Sequence, residues 1–195
     1  MDISSTGIDL IKNYESCNLS VYGDANGYPT VGWGHLLSTN VYKKNANLSK
    51  KDADKELKKA GLSYTSPISQ TQADSLLKKD LKTAEKKVNS KDDDVYNKLN
   101  QNQFDALTSL TFNAPKALSS DDMNALLDRS MTFSDYGAPI SDSEKKTMAK
   151  MVTAAFQWTK ANGKQQRGLV KRRNDEMALF CKGMRYSYNK IVYKE

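Results

Sequence analysis

The spacing of hydrophobic residues changes along this chain, and the changes mark the predicted elements. A first helix is predicted over Thr6 to Ser16, with Thr6 as its N-cap. Its apolar side consists of Ile8, Leu10, Ile11 and Tyr14. From Leu19 to Leu37, aromatic and β-branched residues are interrupted by glycines, which predicts a small antiparallel sheet. We expect this segment to be the only β region of the chain.

Helical spacing prevails after the predicted sheet. The segment from Ser49 to Leu57 predicts a short helix. Ser69 and Gln72 have the form of a capping box, and the helix that they open extends to Asn89. Its apolar positions are Ala73, Leu76, Leu77, Leu81, Ala84 and Val88. The polar run from Ser90 to Asp94 then predicts a loop.

Three further apolar stripes at helical spacing predict a helical core in the second half of the chain. They comprise Phe104, Leu107, Leu110 and Phe112; Met123, Leu126 and Leu127; and Met148, Met151, Val152, Ala155, Phe156 and Trp158. Between the second and third stripes, the segment from Arg129 to Ser143 contains Gly137 and Pro139 and predicts a surface loop. A last helix is predicted from about Gln166 to Lys182.

These elements place the chain in the α+β class. We expect residues 1–68 to hold the first helix and a small lobe with the short antiparallel sheet. Residues 69–89 are expected to form a long connecting helix, residues 90–182 an all-helical lobe, and residues 183–195 a C-terminal tail. The whole is expected to be one domain with an active-site cleft between the lobes.

Composition and charge narrow the classes of function. The 195 residues include 30 Lys and Arg against 23 Asp and Glu, which gives a formal net charge of +7. Such a charge favours an anionic polymer as partner, and a bacterial cell wall and a nucleic acid both fit that description. Because no helix-turn-helix, zinc or base-stacking signature accompanies the charge, we expect no nucleic-acid partner.

Membrane, metal and cofactor chemistry are not indicated by the sequence. No apolar run approaches the roughly 20 residues that a membrane span needs, and the N-terminus lacks the pattern of a secretory signal. We therefore expect no stable membrane insertion. The two cysteines, Cys17 and Cys181, are too few for a disulfide scaffold and lack metal-ligand spacing. We expect no metal site and no cofactor.

One short segment carries residues suited to the hydrolysis of a glycosidic bond. Without a metal, that reaction needs one carboxylic acid to protonate the leaving oxygen and a second carboxylate across the sugar. Glu15 and Asp24 meet this need if a helix end holds the first and a glycine-bounded turn carries the second. Thr30 offers a hydroxyl that can position a water molecule. In isolation, such a Glu and Asp are more often an exposed helix-end charge and a turn former.

The surrounding string resembles the catalytic segment of phage-type lysozymes, the muramidases of glycoside hydrolase family 24, including those of T-even bacteriophages. The pattern is Glu15, eight residues, Asp24, five residues, Thr30, and then Val-Gly-Trp-Gly-His-Leu-Leu over 31–37. Weaker likeness continues over 72–80, 102–113 and 168–176. The resemblance implies a lysozyme-like fold and hydrolysis of the β-1,4 bond between N-acetylmuramic acid and N-acetylglucosamine.

The same resemblance implies catalytic roles for these residues. Glu15 would act as the general acid, while Asp24 and Thr30 would hold the attacking water in an inverting reaction. Inversion requires room for that water, so we expect the two carboxyl groups to lie roughly 6.5 to 9.5 Å apart. The likeness also implies that His35 has a structural role and pairs with Asp80.

Other positions match substrate contacts in the relatives. These are Leu36, Phe112 and Asn113, although simple packing is an equally good interpretation for Leu36 and Phe112. Asn113 is the stronger candidate, because a carboxamide on an apolar helix stripe needs polar partners. In this family the first and last helices pack near one another, so a bond between Cys17 and Cys181 stays open, with free thiols favoured.

The expected partner is bacterial peptidoglycan, bound by a monomer. A delivery partner or an inhibitor protein would have residues 38–67 and the tail as docking surfaces. We expect synthesis in the cytoplasm and action in the periplasm or at the cell wall, after holin-dependent release or delivery by a secretion system. A phage endolysin, a tail lysozyme and an antibacterial effector all remain open, as does chitinase-like specificity. The rival class is a non-catalytic glycan-binding or regulatory protein on a lysozyme-like fold.

Overall fold

The computed structural model describes residues 1–93, 99–133 and 141–194. The chain divides into a sheet unit, Glu15–Lys82, and a helical unit, Met1–Tyr14 with Thr83–Glu195. Helices and antiparallel strands occur together, which confirms the predicted α+β class. None of the helices in the described ranges has both the length and the hydrophobicity that crossing a bilayer requires.

The sheet unit is built on four antiparallel strands in the order β3-β2-β1-β4. The strands are β1 (Asn18–Gly23), β2 (Pro29–Gly32), β3 (His35–Leu36) and β4 (Ala46–Asn47). Helix α2 (Lys50–Lys59) and the first part of helix α3 (Gln70–Asp93) complete the unit. Strand β4 lies outside the segment that the sequence analysis assigned to the sheet, because its two residues carry no alternating pattern.

One face of this sheet forms the core of the sheet unit. The core cluster consists of Val21, Val31, Leu37, Ala53, Leu57, Ile68, Ala73 and Leu76. Gly32 in β2 has a φ of +65°, and a Cβ atom built on it would lie 3.1 Å from the Cβ of Ala73. A side chain at this position would therefore separate the sheet from α3. Because side chains alternate along a strand, Tyr22 next to Val21 and Thr30 next to Val31 project to the opposite face, whereas Gly32 with its positive φ does not follow this alternation.

A fully buried carboxylate organises the loop that follows β3. Glu56 on α2 accepts hydrogen bonds from Ser38 Oγ at 2.6 Å, Asn40 Nδ2 at 2.6 Å and Tyr42 Oη at 2.8 Å. These donors offset the cost of removing the charge from water. The hydrogen bond to Glu56, with burial, raises the pKa of Tyr42 to about 12. Glu56 thus holds three points of the loop against α2.

The helical unit contains the remaining α-helices of the described residues. They are α1 (Ser5–Lys12), the rest of α3, α4 (Gln101–Asn113), α5 (Asp121–Phe133), α6 (Asp142–Ala155) and α7 (Arg167–Phe180). Their core includes Val88, Phe104, Leu107, Leu110, Met123, Leu126, Met148, Val152, Phe156, Met177 and Phe180. Phe156 and Phe180 meet edge to face, with ring centroids 5.6 Å apart. The predicted apolar stripes therefore form this core, except that Met151 only packs against it and that Phe112 and Trp158, described below, lie outside it.

A buried ionic cluster joins α4 to α7. Glu176 on α7 accepts hydrogen bonds from Ser109 Oγ of α4 at 2.7 Å, Arg172 Nε at 3.2 Å and Arg173 Nη2 at 2.8 Å. All four residues are buried. Removing the Glu176 carboxylate would leave two buried guanidinium groups without this counter-charge.

The C-terminal tail is held on the helical unit by two side chains, each of which hydrogen-bonds both the N–H and the C=O of one tail residue. The carboxamide of Asn174 donates to Ile191 O at 2.9 Å and accepts from Ile191 N at 2.8 Å. The hydroxyl of Thr153 likewise donates to Asn189 O at 2.9 Å and accepts from Asn189 N at 3.0 Å. The Arg167 guanidinium lies 5.0 Å from the centroid of the Tyr193 ring.

Several helix boundaries lie at or near their predicted positions. Ser49 Oγ accepts from Asp52 N at the start of α2. Ser69 N donates to the Gln72 side chain at 2.8 Å, and Gln72 N donates to Ser69 Oγ at 3.2 Å, so the predicted capping box is confirmed. Helix α7 agrees with its predicted bounds within two residues at each end.

The predicted N-cap of the first helix is wrong. The N-cap is Ser4, and Thr6 lies inside α1. Ser4 makes no capping bond of its own, because its hydroxyl and its N–H both donate to the carboxylate of Asp105 on α4. A long-range contact of this kind leaves no local trace in the sequence.

Two predicted loops are shorter than expected. Helix α3 continues to Asp93, so the predicted loop over residues 90–94 is wrong for residues 90–93. Helix α5 reaches Phe133 and α6 begins at Asp142, which removes both ends of the loop predicted over residues 129–143. Position 94 and positions 134–140 lie outside the described residues.

The second half of the chain also contains a hairpin that was not predicted from the sequence. Strands β5 (Lys160–Ala161) and β6 (Lys164–Gln165) pair antiparallel around Asn162 and Gly163, whose φ values are +51° and +76°. An Asn-Gly pair with two positive φ angles is the usual hairpin turn. Trp158 precedes this hairpin, beyond the end of α6, and is 37% exposed. It therefore does not belong to the core stripe to which the spacing assigned it.

Replacing Glu56 with Gln is expected to lower the free energy of unfolding at neutral pH by about 1–3 kcal/mol, because three donors lose their charged acceptor. Burial opposes ionisation, but the hydrogen bonds from Ser38, Tyr42 and Asn40 lower the pKa of Glu56 overall. Its contribution is therefore complete above the unfolded-state pKa of about 4.3 and is lost as the pH falls through the lower folded-state pKa. Denaturant titrations should show a difference from wild type at pH 7 that narrows in acid.

The matched control for this prediction is Asp9→Asn, at an exposed position of α1, which should leave the unfolding curve unchanged. A difference between Glu56→Gln and wild type that stays constant from neutral to acid pH would contradict the prediction.

Replacing Asn174 with Ala is expected to release the tail, because Ile191 loses both hydrogen bonds to the Asn174 side chain. Trypsin should then cleave after Lys190 sooner than in wild type, as limited proteolysis followed by mass spectrometry would detect. Asn189→Ala is the control, since Thr153 binds only the main chain at that position. Equal cleavage rates in Asn174→Ala and wild type would show that other contacts hold the tail.

Candidate active site

The carboxyl group of Glu15 follows the first helix and does not lie on it. Helix α1 ends at Lys12, four residues before the predicted end at Ser16. Tyr14 N donates to Ile11 O at 2.9 Å, which closes the helix in a tight turn. Glu15 occupies the bend after this turn and is half-buried. The acid was expected at the end of the first helix, but Glu15 lies three residues beyond that end.

The carboxylate of Asp24 is part of a well-defined turn directly after β1. Its Oδ1 accepts hydrogen bonds from Asn26 N at 2.7 Å and Tyr28 N at 2.9 Å. Gly27 N donates to Asp24 O at 3.0 Å, and Gly27 has a φ of +92°. A Cβ atom built on Gly27 would lie 2.6 Å from Tyr42 O, so the turn needs glycine here for both conformation and space. The side chain of Asp24 is consequently fixed in orientation through one of its oxygens.

Thr30 lies in β2, inside the sheet. Its side chain is 5% exposed, and Oγ1 donates to Tyr28 O at 3.1 Å. The register pairs Thr30 with Tyr22 on β1 and with Leu36 on β3. Since directly paired residues project to the same face, these three side chains are neighbours on the face opposite to the core.

The hydroxyl of Tyr22 interacts electrostatically with both predicted carboxyl groups. Burial raises the pKa of its hydroxyl, and the charges of Asp24 and Glu15 raise it further. Both carboxyl groups therefore act on the same phenol, whose cross-strand partner is Thr30. Tyr22 is not among the site residues predicted from the sequence. The signal that could have found it is the alternation of β1, which places Tyr22 on the face opposite to Val21.

The predicted substrate contacts belong to both units. Leu36 in the sheet unit is 49% exposed, which favours a contact residue over a packing residue. Phe112 and Asn113 end α4 in the helical unit, with Phe112 half-buried and Asn113 exposed. Contrary to the prediction from the sequence, Asn113 therefore does not need polar partners from a buried stripe, because water can satisfy its carboxamide.

The glycine-rich segment is fixed to α3 by two polar contacts. His35 Nδ1 lies 2.9 Å from both carboxylate oxygens of Asp80, which confirms the expected pair. Trp33 Nε1 donates to Asp74 Oδ1 at 2.7 Å, about 1.7 turns earlier on the same helix. These two contacts attach the start of β3 to α3, so His35 has a structural role.

Both cysteines are free thiols, as the sequence analysis favoured. Cys17 is half-buried, with its sulfur 3.7 Å from Gln70 Nε2. Burial raises the pKa of Cys181 to about 12, so this thiol stays protonated and unreactive at neutral pH.

Comparison with known proteins identifies the family. The model of the phage lysozyme family matches residues 12–176. The endolysin of Salmonella phage P22 is 33% identical over 92% of this chain and 98% of its own length. The endolysin of Lactococcus phage c2 is 30% identical over 93% of this chain, and the chain spans 61% of that relative's length.

The fold agrees with the sequence comparison. A solved structure of a P22 lysozyme variant has a TM-score of 0.59 and 29% identity, covering 92% of this chain and 98% of that one. The lysozyme-like fold expected from the resemblance is thereby confirmed. The matched segment includes the bend of Glu15, the turn of Asp24 and strand β2 with Thr30. This chain belongs to the phage lysozyme family.

Proposed function

We propose that this protein is a muramidase that hydrolyses the β-1,4 bond between N-acetylmuramic acid and N-acetylglucosamine in peptidoglycan. The observation that carries the proposal is the grouping around Tyr22, on which both Glu15 and Asp24 act and which Thr30 faces across the strands. Glycosidic hydrolysis without a metal requires two such carboxyl groups. Membership of the phage lysozyme family and the named endolysin relatives support the same activity.

In the proposed reaction, Glu15 transfers its proton to the glycosidic oxygen as the bond from that oxygen to the anomeric carbon breaks. A water molecule attacks the anomeric carbon from the opposite face and gives its proton to Asp24. The two N–H groups bound to Oδ1 hold the Asp24 carboxylate in one orientation. The net result is one water consumed, one bond cleaved and a new reducing end of inverted configuration.

Thr30 is the proposed positioning residue for this water. Its hydroxyl hydrogen is given to Tyr28 O, so the lone pairs of Oγ1 are left to accept a hydrogen from water. A water that donates to both Thr30 and Asp24 would direct its own lone pair away from them, toward the sugar. Because Thr30 is buried in a strand, this acceptor is held in a fixed position.

We further propose Leu36, Phe112 and Asn113 as substrate contacts. The net charge of +7 suits an anionic cell-wall polymer as partner. The protein would work as a monomer, without a cofactor, at the cell wall or in the periplasm. Holin-dependent release or a secretion system would bring it there, and a delivery partner or an inhibitor would dock on residues 38–67 or on the tail.

Replacing Glu15 with Gln is expected to reduce the digestion of purified sacculi at least about 10²-fold, because positioned proton transfer contributes on the order of 10² to 10⁴ in rate. The thermal melt should be unchanged, since Glu15 is half-buried in a bend. Release of soluble fragments, identified by mass spectrometry, is the measurement.

Glu144→Gln is the matched control for Glu15→Gln. Glu144 occupies the capping box of α6, where Gln serves as well as Glu, so this variant should keep full activity. Wild-type rates in Glu15→Gln would refute the assignment of the acid. Loss of activity in both variants would point to a general effect of the substitution.

The configuration of the fresh product tests the mechanism separately. Inversion at a β-linked sugar should produce the α-anomer first, before mutarotation mixes the two forms. Proton NMR of a soluble glycan fragment during the first minutes of digestion would show the α-anomeric signal rising first. Early appearance of the β-anomer would instead indicate a covalent intermediate.

A further inference from the structure

The face of the sheet opposite to the core presents a row of side chains of which the proposed reaction uses only a part. The register pairs Thr30 with Leu36 on one side and with Tyr22 on the other, and it pairs Tyr22 with Asn47. Directly paired residues of antiparallel strands project to one face. Leu36, Thr30, Tyr22 and Asn47 therefore form a single row across β3, β2, β1 and β4, which we call the cross-strand row. Its length is about 14 Å, three strand spacings of about 4.8 Å.

We propose that the cross-strand row is a glycan platform, in which Tyr22 and Asn47 bind sugar units of the peptidoglycan strand beside Thr30 and Leu36. This inference rests on the proposed muramidase function and extends it to two residues outside the predicted site. It also gives strand β4, which follows the loop held by Glu56, a part in substrate binding.

The chemistry of the row suits an N-acetylated sugar. Leu36, 49% exposed, offers an apolar surface for the carbon-bound hydrogens of a pyranose ring. The Tyr22 hydroxyl stays protonated at neutral pH, because burial and the charges of Asp24 and Glu15 raise its pKa, and it can therefore donate to a sugar oxygen. Asn47 carries a carboxamide, which can donate to and accept from an acetamido group.

Asn47 has an orientation that favours a ligand. Its Oδ1 accepts from Asn18 Nδ2 at 3.4 Å, and its side chain is exposed. With the carbonyl directed at Asn18, the amide hydrogens of Asn47 are directed elsewhere and can donate to a sugar. The simpler alternative is that a polar residue on the edge strand β4 only discourages pairing with other chains. That alternative predicts no effect on glycan binding.

The test is a binding measurement with an uncut probe. The probe is the peptide-free tetrasaccharide of alternating N-acetylglucosamine and N-acetylmuramic acid, titrated calorimetrically into protein that carries Glu15→Gln. Tyr22→Phe and Asn47→Ala, each added to that background, are expected to weaken the Kd about three- to tenfold, the range for one lost hydrogen bond. With Glu15 restored, each should raise KM more than it lowers kcat.

Tyr64→Phe is the matched control, because Tyr64 packs against the core cluster on the other side of the sheet. It should leave the Kd unchanged, and thermal melts should show that all variants are folded. A Kd within twofold of the background for both Tyr22→Phe and Asn47→Ala would overturn the platform. Wild-type protein that leaves sacculi intact would refute the muramidase function instead, and the comparison of Kd values would still decide the platform.

Discussion

One-sided burial of the four-stranded sheet is the constraint on which the proposed site depends. Val21 and Val31 are fully buried against α2 and α3, and Tyr22 and Thr30 beside them on the same strands then project to the other face. A slip of one residue in the register would bury Tyr22 and Thr30 in the core and expose the valines. The hydrophobic pattern that stabilises the sheet unit therefore also determines which polar groups are available for chemistry.

The sheet is too small to hold its own position by strand pairing alone. Strands β3 and β4 have two residues each, so polar contacts to the helices supply what the ladders lack. His35 binds Asp80, Trp33 binds Asp74, and the buried Glu56 collects three donors from the following loop. Each contact satisfies groups that would be costly to bury alone. Glu56 is outside the proposed chemistry, but it fixes the loop that leads to β4.

Helix ends could be predicted from the sequence where the capping residues lie close together along the chain. The capping box of Ser69 and Gln72 was readable because both partners lie within one helical turn. The cap of α1 was not, because Ser4 binds Asp105 from a distant helix. The hairpin at Asn162 had a turn signal, but its strands consist of Lys, Ala and Gln and lack the alternation that marks a strand.

The main residues of the proposed site were predictable from the sequence, whereas the residues that face them across the strands were not. Glu15, Asp24 and Thr30 came from spacing and family resemblance, and so did the His35–Asp80 pair. The alternation of β1 could place Tyr22 on a face of the sheet, but its position opposite Thr30 and Asn47 follows only from the register of β1 with β2 and β4. Register depends on turn geometry and on the bulge between positions 18 and 22, which spacing in the sequence does not specify.

Asp24 shows why the structural and the catalytic interpretations of one residue need not compete. An aspartate in a glycine-bounded turn is ordinarily a turn former, and Asp24 is one, since Oδ1 accepts from two amides of its own turn. A carboxylate has two oxygens, and among the described residues Oδ2 takes no hydrogen bond. A freely rotating carboxylate would have to lose that freedom when it binds the water. The turn removes this freedom during folding, so the structural role of one oxygen prepares the other for the reaction.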